Sequence, residues 1–324
     1  MAPNQRRGNV KHHFALFAML ALVACGATHT IDLPDLPNGG QAVSLFGDTL
    51  FSTAPAAEVR VRLEQDLAAA QATYDQDPGD ADAIIWLGRR HAYLGDYRKA
   101  IRIYSEGIAA HPDDARMYRH RGHRFITIRT FDRAIADLDR AAELTAGKTD
   151  EIEPDGQPNT AGIPISTLQF NIWYHLGLAH YLGGEFEQAL TAYRQCMERS
   201  DIPDRLVATS HWLYMTLRRL QRDAEAAAVV EPIHAGMEII ENNAYHSLLL
   251  MYRGEIPPEE LLGSSGDAVQ SATLAYGVAN WHYYNGRTDR ADQILRSILE
   301  GEGWAAFGYI AAEADLYSRR GVGR

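Results

Sequence analysis

Residues 81–114 read ADAIIWLGRRHAYLGDYRKAIRIYSEGIAAHPDD and residues 115–148 read ARMYRHRGHRFITIRTFDRAIADLDRAAELTAGK. Laid one on the other, they pair Gly88 with Gly122, Tyr97 with Phe131 and Ala100 with Ala134, each 34 residues apart, and Pro78 stands at the same interval from Pro112. A fixed period of this size marks a repeat architecture. One unit cannot bury its apolar face alone, so stacked neighbours form a continuous core. A third copy begins at Trp173-x-x-Leu176-Gly177 and continues through Phe186, Ala189-Leu190, Tyr193 and Cys196. Ala189 follows Ala134 by 55 residues, one period plus an insertion of 21, and the polar, Pro/Gly-bearing stretch 145–166 supplies that insertion. Weaker copies surround Trp212-Leu213 with Ala226, and Tyr276 to Ile298 with Asn285-Gly286 and Ala291.

The pattern of Leu87-Gly88, Gly95, Tyr97, Ala100-Ile101, Tyr104 and Pro112 resembles the tetratricopeptide repeat, as do its counterparts in the second and third copies. The resemblance covers roughly residues 81–300. It implies an all-α fold, a right-handed superhelical solenoid of antiparallel helix pairs. Each pair turns at a glycine such as Gly95 or Gly184, where positive φ is expected, and Asp96 is placed to cap the following helix. Small residues (Gly88, Gly122, Gly177, Ala100, Ala134, Ala189) are expected where two helices approach closely, and Cys196 takes a small buried position. We read residues 56–233 as the array with its inserted loop 145–166, and 234–324 as divergent helical repeats ending in a capping helix from Trp304 to about Arg319. Pro257-Pro258 interrupts the first divergent pair.

The N-terminus reads as an address. Arg6, Arg7 and Lys11 precede the apolar run Phe14–Ala24, which ends at Cys25. A basic head and a short apolar stretch make a secretory leader over residues 1–24. No apolar run reaches the roughly 18 residues of a spanning helix. Leu22-Val23-Ala24-Cys25 resembles the lipobox of bacterial lipoproteins, which implies cleavage before Cys25 and acylation of that cysteine. Each buried acyl methylene adds about 0.8 kcal/mol of membrane affinity. With Gly26 next, the resemblance implies an outer-membrane anchor and a body facing the periplasm; an ordinary leader with a chance cysteine is the other reading. Residues 25–55, rich in Pro, Gly and small side chains, read as lipidated N-terminus and flexible linker. The apolar part, 44–51, is placed to dock on the first helices.

The 324 residues are 46% hydrophobic and 23% charged, a globular composition, and carry a net charge of −11. That acidity argues against nucleic acid as a partner, since binding it rests on a surplus of Lys and Arg. Residues 85–144 run the other way, with twelve Arg or Lys against eight Asp or Glu, and four His besides. In the resembled family the first helix of each repeat lines the concave groove. Carried over by position, the first copy contributes Arg89 and Tyr93, beside Ile85 and Trp86. The second contributes Arg116, Arg119, His120 and His123, and the third Tyr174, His175 and Tyr181. Basic and aromatic groups on one face suit an acidic peptide or protein. Family members that clamp a terminal carboxylate carry a Lys/Asn arrangement where this chain has Ile85 and Arg89. The arginines could equally be paired with neighbouring carboxylates; Arg121, at a core position, must find one.

His120-x-x-His123 shares a helix face, yet neither Cys nor carboxylates complete a metal site. The sequence has no nucleophile elbow, phosphate loop or dinucleotide fingerprint. No cofactor, metal or catalytic residue is expected. The reading is a non-enzymatic, lipid-anchored scaffold or adaptor of the bacterial envelope. The alternative is a small-molecule binder or enzyme using the basic, aromatic groove under loop 145–166. On the scaffold reading, reversing Arg116 and Arg119 together abolishes partner capture and leaves the array folded.

Overall fold

The computed structural model describes residues 1, 31–263 and 267–321. The basic head, the apolar run and Cys25 lie outside the described residues. The body is a ladder of antiparallel helix pairs: α1 (Ala57–Gln76), α2 (Ala81–Tyr93), α3 (Tyr97–Ala110), α4 (Ala115–Thr127) and α5 (Phe131–Thr145). After the insertion follow α6 (Leu168–Leu182), α7 (Phe186–Met197), α8 (Pro203–Arg219) and α9 (Asp223–Val230). A shorter stretch, α10 (Asn243–Tyr252) and the single turn α11 (Pro258–Leu261), leads to the pair α12 (Ala268–Tyr284) and α13 (Thr288–Leu299), and α14 (Phe307–Gly321) ends the array. No helix of the described residues is long and apolar enough to cross a membrane.

Local chemistry sets the helix boundaries. Asp80 accepts from the Ala83 N–H at 2.7 Å and Asp114 from the Arg116 N–H at 2.9 Å, satisfying donors that the first turn leaves open. Asp96 occupies the N-cap of α3 but does not cap it through its side chain; that carboxylate turns to His91 Nδ1, 3.3 Å away. The hairpin turns need a left-handed residue. Gly95 (φ +84°) and Gly184 (φ +79°) provide it as the spacing predicts. In the second hairpin the same place, 34 residues after Gly95, is held by Arg129 at φ 65°. A side chain there costs about 1–2 kcal/mol, so something distant must hold Arg129 in place.

The packing uses the small residues. A Cβ at Gly177 would come within 2.7 Å of the Tyr193 ring, so only glycine lets α6 and α7 close on that tyrosine. Ala100, Ala134, Ala189 and Cys196 are fully buried beside them. Arg121 finds the carboxylate its position demands: Asp137 accepts from it twice, each at 2.7 Å.

Two features are not in the sequence reading. Where the composition predicts a linker through residue 55, the structure has an antiparallel hairpin, β1 (Gly40–Val43) and β2 (Thr49–Phe51), with Ala42 opposite Leu50. Alternating side chains bury one of its faces, and Ala42 is only 2% exposed. This hairpin docks on the first repeat, as expected, where the Arg98 N–H donates to Gln41 at 3.2 Å, and also on the C-terminal segment. The Leu45 N–H donates to Glu313, the Trp304 indole donates to the Phe51 carbonyl at 2.6 Å, and Phe46 packs edge-on against Tyr317. The second feature is closure. Residues 302–315 return to the first repeats, where Trp304 meets Tyr97 edge to face and Arg129 pairs with Glu313 at 2.7 Å, both side chains wholly buried.

Candidate functional site: a groove already holding its own chain

Helices α2, α4 and α6 place Arg89, Tyr93, Arg119, His120, His123 and His175 together. The insertion lies on them. Its base is pinned by Asp150, which accepts from the Thr167 hydroxyl at 2.6 Å and the Gln169 N–H at 2.9 Å, and by the bridge between Ile152 and Thr167. From there Glu153 reaches Arg119 at 2.9 Å, with the two side chains 11% and 8% exposed. Arg89 donates to the Pro154 carbonyl and Arg90 to the Gly156 carbonyl, each at 2.8 Å. Gly156 rests against the Tyr93 phenol, leaving no room for a side chain. Farther on, Asn159 donates to the Glu241 carboxylate at 2.6 Å, fixing the insertion's tip to the connection before α10.

The guanidiniums are stacked as well as bonded. Arg89 lies 4.4 Å from the centre of the Trp86 ring and donates to the Tyr93 hydroxyl at 3.2 Å. Arg119 also contacts His120 Nδ1 at 3.0 Å, which fits an unprotonated nitrogen accepting from it, and His120 stacks on Tyr104. His123 stacks against His175, ring centres 4.3 Å apart, and against Phe307 of the returning C-terminal segment. His175 Nδ1 lies 2.6 Å from the Asn171 carbonyl and so carries the proton. Among the described residues no cluster of three or more ligating side chains forms a metal site.

Three residues from the sequence stand elsewhere. Arg116 is half-exposed at the rim and already paired with Asp114 and Asp82, at 2.6 and 2.5 Å. Tyr174 and Tyr181 are core. The Tyr174 hydroxyl accepts from the Trp212 indole at 2.8 Å and bonds Tyr245, while Tyr181 bonds Tyr276 and accepts from Asn280. Family positions point these two inward, but α8, α10 and α12 close over them. Arg119 is buried too, beneath the insertion, so reversing its charge unseats that segment as well as altering the groove. The sequence reading missed Arg90 and Glu153. The acidic run around Glu151-Ile-Glu153, one insertion away from a basic face, was the available signal.

Burial keeps these histidines neutral. The first cause for His120, His123 and His175 is loss of water, reinforced by Arg119 or Arg124 nearby, and all three lie well below the usual imidazole value. Burial alone takes His211 down to about 3. In the unfolded chain the same rings take protons near pH 6.5. The unfolded state therefore binds more protons below that pH, and folding stability is full above it and falls as acid is added. Urea midpoints measured at pH 7.5, 6 and 5 are expected to drop steadily, and a flat profile would contradict buried neutral rings.

Two segments of the chain match tetratricopeptide repeat models. They are residues 81–124 and 172–200. No curated protein matches the sequence. Among solved structures, MamA AMB-1 is 19% identical, with 53% of this chain and 87% of that one covered and a TM-score of 0.41. YrrB, described as a TPR protein with an unusual peptide-binding site, is 13% identical over 78% of this chain and 98% of its own, with a TM-score of 0.41. A tetratricopeptide repeat protein from Parabacteroides merdae is 11% identical, with coverage of 78% and 92% and a TM-score of 0.46. The matched tetratricopeptide repeat segments are the hairpin α2–α3 with most of α4, and the hairpin α6–α7.

Proposed function

We propose that this chain is a non-enzymatic, lipid-anchored scaffold of the bacterial envelope, which holds an extended acidic segment of a protein partner on the inner face of its repeats. One observation carries the reading. The groove binds residues 153–156 as it would bind a peptide, by two main-chain carbonyls on Arg89 and Arg90 and one carboxylate on Arg119. Main-chain recognition supplies affinity, and the Glu153–Arg119 pair supplies preference for acid. The insertion is then the internal occupant that a partner displaces. Acylation at Cys25 places the array at the outer membrane, facing the periplasm.

The test uses the insertion's own sequence. Residues 152–163 are replaced by Gly and Ser of equal number in the full chain, and a labelled peptide of residues 148–159 is titrated in. Saturable binding is expected, weakened about tenfold when the peptide carries Glu153→Gln. No saturable binding to a variant with unchanged helical content overturns the groove. In cells, Cys25→Ser is expected to move the protein out of the membrane fraction, and its retention there overturns the anchor.

A further inference from the structure

One cavity, of about 390 Å³, lies beside the occupied groove, where the returning C-terminal segment meets the first hairpin turn, with Gln157 of the insertion at its edge. Its walls are mainly aromatic and small apolar groups, with Tyr93, Tyr97, Trp304 and Phe307 among them, and its polar groups include His123 and Arg124. Arg124 is unlike the other guanidiniums near it. Arg89, Arg119, Arg121 and Arg129 each have a hydrogen bond or a carboxylate. Among the described residues Arg124 has neither, and its contact is the Tyr97 ring, 5.6 Å away. Glu302, also on the cavity wall, makes no ion pair with it. Burial is the first cause lowering the Arg124 value, and the groups opposing it are tyrosines. Tyr97 and Tyr104 are themselves pushed up by burial and so are uncharged at neutral pH. Arg124 is half-buried, and its guanidinium opens to the cavity without a carboxylate beside it, an arrangement that favours an anion at that wall. The adjacent His123 ring makes no hydrogen bond among the described residues either, so a second polar group is left open at the same wall.

We infer that this cavity is a binding site for a small monocarboxylic acid with an aromatic or other apolar body, the carboxylate taken by Arg124 with His123 beside it and the body lying among Trp304, Phe307, Tyr93 and Tyr97. A volume near the lower end of ligand pockets suits a single ring and a short chain. The guanidinium offers a fork of donors to a carboxylate. The site adjoins the peptide groove, sharing Tyr93 and His123 with it and meeting the insertion at Gln157, but its anchor, Arg124, holds no residue of the insertion, so the assignment does not rest on the reading of that groove.

The experiment is calorimetric titration of the full chain with four probes: 4-phenylbutyrate, its neutral amide, inorganic phosphate, and an N-acetylated pentapeptide ending in a free phenylalanine carboxylate. Saturable binding of 4-phenylbutyrate is expected, with the amide at least about tenfold weaker and phosphate silent. Arg124→Gln should lose the acid by a similar factor, and Arg124→Lys, which keeps the charge, should retain part of it. Circular dichroism of both variants shows whether the fold survives; should Arg124→Gln fail to fold, the acid-against-amide ratio on the native chain decides alone. Equal binding of acid and amide, binding by phosphate as strong as by the acid, no binding of the acid, or a folded Arg124→Gln that binds as before each overturns the assignment. Tighter binding of the pentapeptide than of the free acid overturns the small acid as occupant. Displacement of the 148–159 peptide by 4-phenylbutyrate that persists in Arg124→Gln would place the acid in the groove instead and equally overturn it.

Discussion

Arg129→Ala is expected to destabilise the folded chain by about 3–5 kcal/mol, because it strands a buried carboxylate. Arg129 donates to Glu313 at 2.7 Å, to the Trp304 carbonyl at 2.8 Å and to the Thr127 carbonyl at 2.5 Å. Its guanidinium also lies over the Trp304 ring. Glu313 accepts in addition from the Leu45 N–H, so one node joins the second repeat turn, the N-terminal hairpin and α14. Alanine would keep the unfavourable left-handed backbone and lose every side-chain contact that holds it. Arg129→Gly relaxes the backbone and is expected to be milder by about 1 kcal/mol. The double change Arg129→Met with Glu313→Gln keeps an acceptor for Leu45 and removes both charges; most of the loss should return. Urea denaturation followed by circular dichroism measures all three. A loss under about 1 kcal/mol for Arg129→Ala would mean that the ends of the array are not joined through this pair.

Arg119→Glu is expected to release the insertion from the groove. It sets a second carboxylate against Glu153 where both side chains are about a tenth exposed. Breaking such a pair alone costs about 3–5 kcal/mol, and like charge adds to that. Glu153 and Arg119 approach closely but without aligned hydrogen-bond geometry at Arg119 Nε, so the attraction is mainly ionic and reversal of sign removes it entirely. Residues 151–163 should become sensitive to limited proteolysis while the repeats stay resistant. The exchange Arg119→Glu with Glu153→Arg should restore protection. Protection unchanged in the single variant would show that Arg89, Arg90 and Asp150 hold the insertion unaided. The combined reversal of Arg116 and Arg119 therefore acts at two different places, since Arg116 stands at the surface and Arg119 is buried against Glu153.

The sequence by itself determined the repeat. Gly88, Gly95, Ala100 and their counterparts act through neighbours less than one period away, so their spacing carries the hairpins, the left-handed turns and the buried place of Cys196. Arg121 could be read as needing a carboxylate because its position lies inside one hairpin, sixteen residues from Asp137. The face of α2 and α4 that gathers Arg89, Tyr93, Arg119, His120 and His123 was legible for the same reason.

Only the tertiary structure decided what covers that face. Arg129 meets Glu313 across 184 residues and Leu45 meets Glu313 across 268. No periodicity links such positions, and a polar insertion or a Pro/Gly-rich start looks alike whether it hangs free or docks. Tyr174 and Tyr181 occupy inward repeat positions, but whether inward means groove or core depends on how far the array curves back on itself. Here it closes, because the aromatic Trp304–Phe307 segment has its apolar surface to bury and the first repeats offer Tyr97, His123 and His175 to receive it.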